Sequence, residues 1–373
     1  MATHRPASYS LTKANDVARE WLQNCERKHT YCKEPRLSSQ VKLPRRLISI
    51  GLPGSTTPNL IETSALGDED CRYAALSHCW GTGQQPLQTT ASTISSHYRA
   101  IPWGSLPLTF RDAIAVTQNL GLRYLWIDSL CIIQGDQEDF EEECSRMHLI
   151  YLGSYVMIAA SDAKDGSEGF LPHQDDDDKP EHLRELSALS CPSSLRSKGY
   201  IEWSEWSNLL GGPLSKRGWA FQECQLAPRI LYYTQSGVLW ECRVCFGAGD
   251  KSTVTPKRTF TKIRRERLFR PLDIDRKKMS HNDIMTNWLW IAEEYSAKDL
   301  TYTSDKLPAL SGLAAATAFL LTGAKSSMAP YPIYLAGLWE PDLWYHLFWT
   351  THSPSEPSWK SRFSNYPSWS WVS

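Results

Sequence analysis

Residues 124–161 hold the strongest structural signal in this chain. An apolar run over residues 124–127 ends at Asp128, and a second apolar run over residues 155–160 follows a polar loop and a helical pattern. Such short apolar runs are typical of buried strands, and two parallel strands need a crossover connection, which is usually a helix. The segment therefore predicts a strand–loop–helix–strand unit. In open α/β sheets, ligands bind beyond the carboxyl ends of such strands.

The predicted helix carries three consecutive glutamates, and only Glu143 should face the sheet. The apolar face of this helix is formed by four residues at helical spacing, Phe140, Cys144, Met147 and Tyr151. At about 100° per residue Glu143 falls on this face, whereas Glu141 points sideways and Glu142 points away. A carboxylate is costly to bury unless it is paired or functional. Glu143 is therefore a candidate functional residue, and a structural glutamate paired with an arginine is the alternative.

The segments upstream extend the same pattern. Residues 73–76 form an apolar run that leads into a polar loop at residues 77–81. A capping-box pattern at Thr109 and Asp112 then begins a helix that stops near Gly121. Residues 73–161 thus predict strand–helix–strand–helix–strand, which is an α/β fold with a mainly parallel sheet flanked by helices.

Additional elements are predicted at both ends of the chain. Apolar spacing predicts a helix over residues 11–33, and a capping box at Ser280 and Asp283 predicts another helix downstream. We also expect strands near residues 46–50, 229–233 and 238–241, a buried helix within 307–324, and a packed aromatic strand at 367–371. The pattern divides the chain into an N-terminal helical segment (1–45), a core (46–245) and a C-terminal region that packs on the core (246–373).

Composition excludes some partners. The formal net charge of the 373 residues is −1, so we expect neither nucleic acid nor a membrane as partner. An acidic run at 175–178 and a basic segment at 257–278 are interpreted as solvated surface. The first residues contain no apolar leader and the ten cysteines form no compact framework, which predicts reduced thiols in a cytoplasmic protein.

Three blocks of the sequence resemble the HET (heterokaryon incompatibility) domain of filamentous fungi. They read YAALSHCWG at residues 73–81, LPLTFRDAI at 106–114 with its continuation YLWIDSLCIIQ at 124–134, and RGWAFQE at 217–223. The resemblance continues at residues 304–312, 334–339 and 367–371. It implies a protein of nonself recognition that triggers cell death when incompatible fungal strains fuse.

The resemblance also implies a chemistry. HET domains are remotely similar to TIR domains, some of which cleave NAD with a glutamate in an aromatic-x-x-Glu turn of a helix beside the sheet. Phe140 and Glu143 have this spacing, with Phe140 where HET proteins usually carry Trp. The resemblance thus implies a Rossmann-like, TIR-related fold in which Glu143 is catalytic, NAD is the substrate and no other cofactor is needed. The residues expected to line the ligand site are Ser77, His78, Trp80, Gly81 and Asp128.

Several alternatives stay open. The chain is also compatible with a non-enzymatic module that signals as a homo-oligomer, or with a HET-scaffold enzyme of secondary metabolism that acts on a small organic substrate. Trp80 is equally well a residue of the core, and Asp128 equally well a cap of the loop that follows it. For the block at 217–223 we favour a structural role, because family motifs often record the internal contacts of a fold.

Two cysteine groups have the spacing of zinc ligands. They are Cys25-x₃-His29-x₂-Cys32 and Cys242-x₂-Cys245. Together they make a site only if the fold brings them together, and neither has a matching partner at a conventional distance along the chain. From sequence we therefore expect no metal.

Overall fold

The structure is a computed structural model. It describes residues 11–32, 43–51, 57–67, 71–81, 83, 85–171, 210–235, 237–248, 254–256, 280–322, 333–349, 367 and 369–371. The acidic run at 175–178 and the basic segment at 257–278 lie outside these residues. The chain divides into two units, the first comprising residues 1–215 and 227–265 and the second residues 216–226 and 266–373.

The first unit contains a nine-stranded sheet and five helices among its described residues. Its helices are α1 (Leu11–Lys28), α2 (Ile94–Arg99), α3 (Leu108–Asn119), α4 (Asp128–Cys131) and α5 (Gln137–Gly153). Its strands are β1 (Arg46–Ser49), β2 (Asn59–Glu62), β3 (Tyr73–Ser77), β4 (Thr89–Thr90), β5 (Tyr124–Trp126), β6 (Ile133–Gln134), β7 (Val156–Ala160), β8 (Arg229–Thr234), β9 (Gly237–Cys242), β10 (Cys245–Ala248) and β11 (Val254–Pro256). The short strands β4 and β6 pair separately from the large sheet.

The large sheet is mixed, with parallel pairing at its centre. Its order is β11-β10-β9-β8-β7-β3-β5-β1-β2, and the neighbouring strands β8, β7, β3 and β5 are parallel. The outer strands pair antiparallel on both sides. Every residue of β3, β5 and β7 is buried, which explains their continuous apolar sequences. The α/β fold with helices around a central parallel sheet is thereby confirmed.

The strand order creates a switch point beside β3. The chain leaves β3 to form β5 on one side, and returns across β3 to form β7 on the other. Connections therefore diverge from the carboxyl ends of β3 and β7, and α/β sheets form their ligand crevices at such points. The predicted loop at residues 77–81 follows β3 directly.

Helix α5 buries Glu143 but not Phe140. Asp136 accepts a hydrogen bond from the Asp139 amide (3.2 Å), which fixes the first turn. The buried face of α5 is formed by Asp139, Glu143, Met147, Ile150, Tyr151 and Leu152. The prediction that Glu143 alone of the three glutamates faces inward is confirmed. The placement of Phe140 on the same face is wrong, because Asp139 occupies the inward position and leaves Phe140 42% exposed.

The capping box predicted at Thr109 and Asp112 is also wrong. Helix α3 begins at Leu108, one residue earlier, and Pro107 precedes it without a side-chain cap. The Thr109 hydroxyl donates to the Asp165 carbonyl (3.2 Å), and Asp112 accepts from the amides of Phe170 (2.7 Å) and Leu171 (3.0 Å). Both side chains therefore hold the loop after β7 rather than the start of their own helix.

The second unit is built from helices and a small hairpin. It contains α6 (Gly218–Leu226), α7 (His281–Ser296), α8 (Pro308–Thr322), β12 (Tyr334–Leu335), β13 (Leu338–Trp339) and α9 (Leu343–His346). The capping box at Ser280 and Asp283 is confirmed at the start of α7. Buried Trp288 packs edge-on against Trp339, with ring centroids 5.6 Å apart.

The C-terminal aromatic segment packs as predicted but does not form a strand. Among its described residues, Ser370 and Trp371 donate hydrogen bonds to the carbonyls of Ala336 and Gly337, respectively, in the hairpin turn. Residues 369–371 lie in turns and bends, and their side chains, rather than a backbone ladder, connect them to the hairpin. Among the helices that the structure describes, none combines the length and apolar character needed to cross a membrane.

Candidate functional site

Polar side chains from two adjacent parallel strands meet at the carboxyl edge of the sheet. His78 and Trp80 follow β3, and Asp128 follows β5 at the start of α4. The Trp80 indole Nε1 donates to Asp128 Oδ2 at 2.9 Å, and His78 Nδ1 lies 4.0 Å from Asp128 Oδ1. The structure thus brings together three residues that the sequence assigned to one ligand site.

Asp128 has two roles in this arrangement. Its Oδ1 accepts a hydrogen bond from the Ser129 amide (2.7 Å) in the first turn of the short helix α4. Its other oxygen orients the Trp80 indole, and the side chain keeps 18% of its surface exposed. Trp80 is half-buried, so its ring is partly covered by the core and partly open. Both residues therefore make structural contacts and keep part of their surface exposed.

Gly81 is required by the backbone independently of any ligand. Its φ of +83° lies in the left-handed region, and a Cβ there would stand 2.6 Å from the Cβ of Asp165. Asp165 belongs to the loop after β7, so Gly81 allows the loops after β3 and β7 to approach closely. Ser77 and His78, just upstream, are buried at the end of β3.

The loop after β7 adds two acidic residues that the sequence analysis missed. Asp162 accepts a hydrogen bond from the Gln235 amide (2.5 Å), and burial raises the pKa of its carboxyl above the ordinary value. Asp165 accepts from the Ser167 hydroxyl and amide, and these bonds lower its pKa. The signal for both was available, because they follow a predicted parallel strand in the same way as His78 and Asp128.

Glu143 lies in different surroundings. Its side chain is fully buried, and among the described residues neither carboxylate oxygen has a hydrogen-bond partner of good geometry. The nearest cation is Arg146, whose Nη1 lies 3.7 Å from Oε1. Burial raises the pKa of the Glu143 carboxyl, and the charges of Arg146 and Arg46 only partly oppose this effect.

A buried ion pair beside Glu143 takes up Arg46, so the charge of Glu143 is only partly compensated. Arg46 is 1% exposed and directs Nη2 at both oxygens of Asp139, with 2.6 Å to Oδ1. Its Nε donates to the Cys131 carbonyl (2.7 Å), and the Ile133 amide donates to Asp139 (2.8 Å). Asp139 thus satisfies Arg46, which fixes the first turn of α5 against β1 and leaves Glu143 with Arg146 as its closest partner.

The predicted site residues therefore fall into two groups. Trp80 and His78 both lie against Asp128 at the carboxyl edge, whereas Glu143 lies among the charged residues between α5 and β1. The first group offers an aromatic ring, an imidazole and carboxylates, which suit a ribose or a nucleobase. The second offers a carboxyl group whose pKa is raised by burial.

Comparison with protein families decides what kind of domain this is. Residues 73–223 match the family described as Heterokaryon incompatibility protein (HET). This segment is similar to a HET domain. The match begins at the first residue of β3 and includes both groups of predicted site residues. Neither the curated proteins nor the solved structures contain a match to the chain.

The last block of the HET domain makes structural contacts in the second unit. The Trp219 indole donates to Asp305 (3.1 Å), and Gln222 Oε1 accepts from the Gly312 amide in α8 (2.7 Å). Gly218 packs closely as well, because a Cβ there would stand 2.6 Å from the end of the Leu300 side chain. These contacts support the structural role favoured for this block.

Proposed function

We propose that this HET domain acts in fungal nonself recognition and cell death, and that it does so by cleaving NAD between nicotinamide and ribose. The observation that carries the proposal is the meeting of His78, Trp80 and Asp128 beyond two parallel strands, next to the switch point of the sheet. This is the position at which α/β sheets bind nucleotides.

The residues at the carboxyl edge suit the parts of a dinucleotide. The Trp80 ring, held in orientation by Asp128, offers a face on which a base can stack. The carboxylates of Asp128 and Asp162 can accept hydrogen bonds from ribose hydroxyls. In this proposal His78 donates to a phosphate or a ribose oxygen.

Glu143 supplies the carboxylate of the proposed reaction. The bond from the ribose C1′ to the nicotinamide nitrogen breaks, the electron pair leaves with neutral nicotinamide, and water adds at C1′ with release of a proton. A carboxylate beside the ribose stabilises the oxocarbenium-like transition state. Among the described residues neither oxygen of Glu143 has a hydrogen bond of good geometry, which supports this role, since a structural carboxylate is normally satisfied.

The covered position of Glu143 adds a condition to the proposal. The carboxylate has no exposed surface, so the ligand must displace a neighbouring group to reach it. Arg146 is the suitable group, because its side chain is 25% exposed and is held by the Leu43 carbonyl (2.9 Å) and weak ion pairs. Movement of this one side chain uncovers Glu143 without unfolding α5.

The proposal is tested by incubating the purified chain with NAD at low and high protein concentration and measuring free nicotinamide by chromatography. We expect release of nicotinamide with equal formation of ADP-ribose or its cyclic form. Intact NAD at both concentrations would overturn the catalytic part of the proposal and leave the family assignment in place.

A second candidate function is signalling by self-association without catalysis. The observation that favours it is an exposed aromatic surface in the second unit, where Trp344 is 70%, Tyr345 56% and Phe348 78% exposed. A patch of several exposed aromatic rings is typical of an interaction site. Light scattering over a range of concentrations tests this function, with Phe348→Ser as the variant. Growth of the particle mass that the variant abolishes supports it, and a monomer at every concentration counts against it.

A further inference from the structure

Four metal-binding side chains from distant parts of the first unit converge on one point. Cys25, His29 and Cys32 lie at the end of α1 and in the turn after it, and Cys242 lies 213 positions beyond His29 at the end of β9. Their ligand atoms all lie within 4.8 Å of one another. The fold therefore supplies the partner that neither cysteine group has along the sequence.

Regular elements hold each of these side chains in place. Trp21 in α1 stacks on Trp240 in β9, with ring centroids 6.4 Å apart, and this contact fixes the helix over the strand. The His29 amide donates to the Cys25 carbonyl (2.9 Å) and the Cys32 amide donates to the His29 carbonyl (3.1 Å), which turns the chain back toward β9. The ligands thus lie on well-packed backbone.

The distances suit a tetrahedral metal ion better than a disulfide. Zn–S bonds of about 2.3 Å place the ligand atoms of a tetrahedral site roughly 3.5–3.8 Å apart. His29 Nδ1 lies 3.5 Å from Cys242 Sγ, which is already such a spacing. The sulfurs of Cys242 and Cys245 are 3.4 Å apart, far beyond the length of a disulfide bond.

A buried arginine supplies the matching charge. Arg229 is 5% exposed, and within the described part of the chain no carboxylate forms an ion pair with it. Its Nε donates to Cys25 Sγ at 3.3 Å, and its Nη2 donates to the Cys32 carbonyl at 3.2 Å. Three thiolates, one neutral imidazole and Zn²⁺ carry a net charge of −1, which Arg229 neutralises.

The surroundings of Cys242 suit a sulfur ligand. The Val244 amide donates to Cys242 Sγ at 3.4 Å, a contact that stabilises negative charge on the sulfur. Thiolate, rather than thiol, is the form that binds metal.

We propose that Cys25, His29, Cys32 and Cys242 bind one Zn²⁺ ion in a closed structural site. All four tetrahedral positions are filled by protein atoms, so the ion has no place for a substrate and its role is to connect α1 to the sheet. Sulfur and imidazole ligands in this geometry favour zinc over the hard cations Mg²⁺ and Ca²⁺. This site is independent of the proposed NAD chemistry.

The first test measures the metal content of the full chain, purified without chelator under reducing conditions. We expect one zinc per chain, and after its removal we expect Co²⁺ to rebind with thiolate-to-cobalt charge-transfer absorption and the intense visible bands of a tetrahedral site. Absence of zinc together with a cobalt spectrum lacking thiolate absorption would overturn the proposal. So would disulfides among these cysteines in the freshly purified chain.

The second test identifies the ligands by substitution. Cys242→Ser and His29→Ala are expected to lose zinc, whereas Cys245→Ser and the remote control Cys144→Ser are expected to keep it. His29→Cys guards against variants that fail to fold, because it preserves four ligands: it should keep one ion and shift the cobalt spectrum toward that of four thiolates. Loss of zinc in Cys245→Ser with retention in His29→Ala would contradict this ligand set.

Discussion

At the scale of the residue, Glu143 shows what helical phase can and cannot establish. The spacing of Met147 and Tyr151 was sufficient to select Glu143 from three consecutive glutamates. It could not show that Arg46 pairs with the neighbouring Asp139, since Arg46 lies nearly one hundred residues upstream and this bond forms only in the fold. Asp139 also displaced Phe140 from the buried face.

The raised pKa of Glu143 predicts the pH dependence of stability. The folded state binds the Glu143 proton more tightly than the unfolded chain, so this group contributes stability at low pH that is lost as pH rises through its folded pKa. Glu143→Gln keeps the shape without the charge. We expect it to raise the melting temperature at neutral pH by roughly 2–4 °C, corresponding to about 1 kcal/mol.

The measurement compares the melting temperatures of Glu143→Gln and the wild-type chain between about pH 5 and about pH 8. The advantage of the variant should grow as pH rises. A constant or opposite difference would mean that Arg146 and Arg46 fully compensate the charge, which would make Glu143 a structural partner of these arginines.

The Arg46–Asp139 pair is expected to dominate the stability of this region. Asp139→Asn removes the close countercharge of a buried guanidinium and leaves it the longer ion pair with Glu62 (3.9 Å), which should cost about 3–5 kcal/mol in the free energy of unfolding. Glu142→Gln is the matched control, because the ion pair of Glu142 with Arg45 is exposed and should contribute less than about 1 kcal/mol. Urea unfolding of both variants checks this, and equal costs would contradict it.

At the scale of the element, two sequence motifs of the same form have different outcomes. Ser280 and Asp283 form the predicted capping box, whereas Thr109 and Asp112 bind the loop after β7. Pro107 explains the difference, since its carbonyl already accepts from the amides of Phe110 and Arg111 at the helix start. A local motif is reliable only where no distant segment competes for its side chains.

The hydrogen bonds of Asp112 predict which segment loses stability when its carboxylate is removed. Asp112→Ala leaves the amides of Phe170 and Leu171 without an acceptor and should cost about 3 kcal/mol. Hydrogen exchange should accelerate in residues 163–171 while α3 stays protected. Ser280→Ala, at the true capping box, is the comparison and should cost about 1 kcal/mol in α7. Exchange that accelerates in α3 instead would contradict the assignment.

At the scale of the whole molecule, the sequence predicted the central strands and helices better than the contacts between distant segments. The α/β pattern of residues 73–161 follows from strand-length apolar runs, which bury both faces of the central strands. The antiparallel strands β9–β11 at one edge, and the meeting of Cys25 with Cys242, depend on contacts between distant segments. No local pattern records such contacts. For the same reason the sequence placed Glu143 and Asp128 in one site, while the structure gives them different neighbours.

The most direct test of the central claim is the initial rate of nicotinamide release by three forms of the chain: wild type, Glu143→Gln and Glu141→Gln. Glu141 lies on the same helix and is exposed, so its substitution controls for the change of charge. We expect Glu143→Gln to lower the rate by about 10²–10³-fold, with Glu141→Gln at the wild-type rate. Release by Glu143→Gln at the wild-type rate would contradict the claim that Glu143 carries the cleavage.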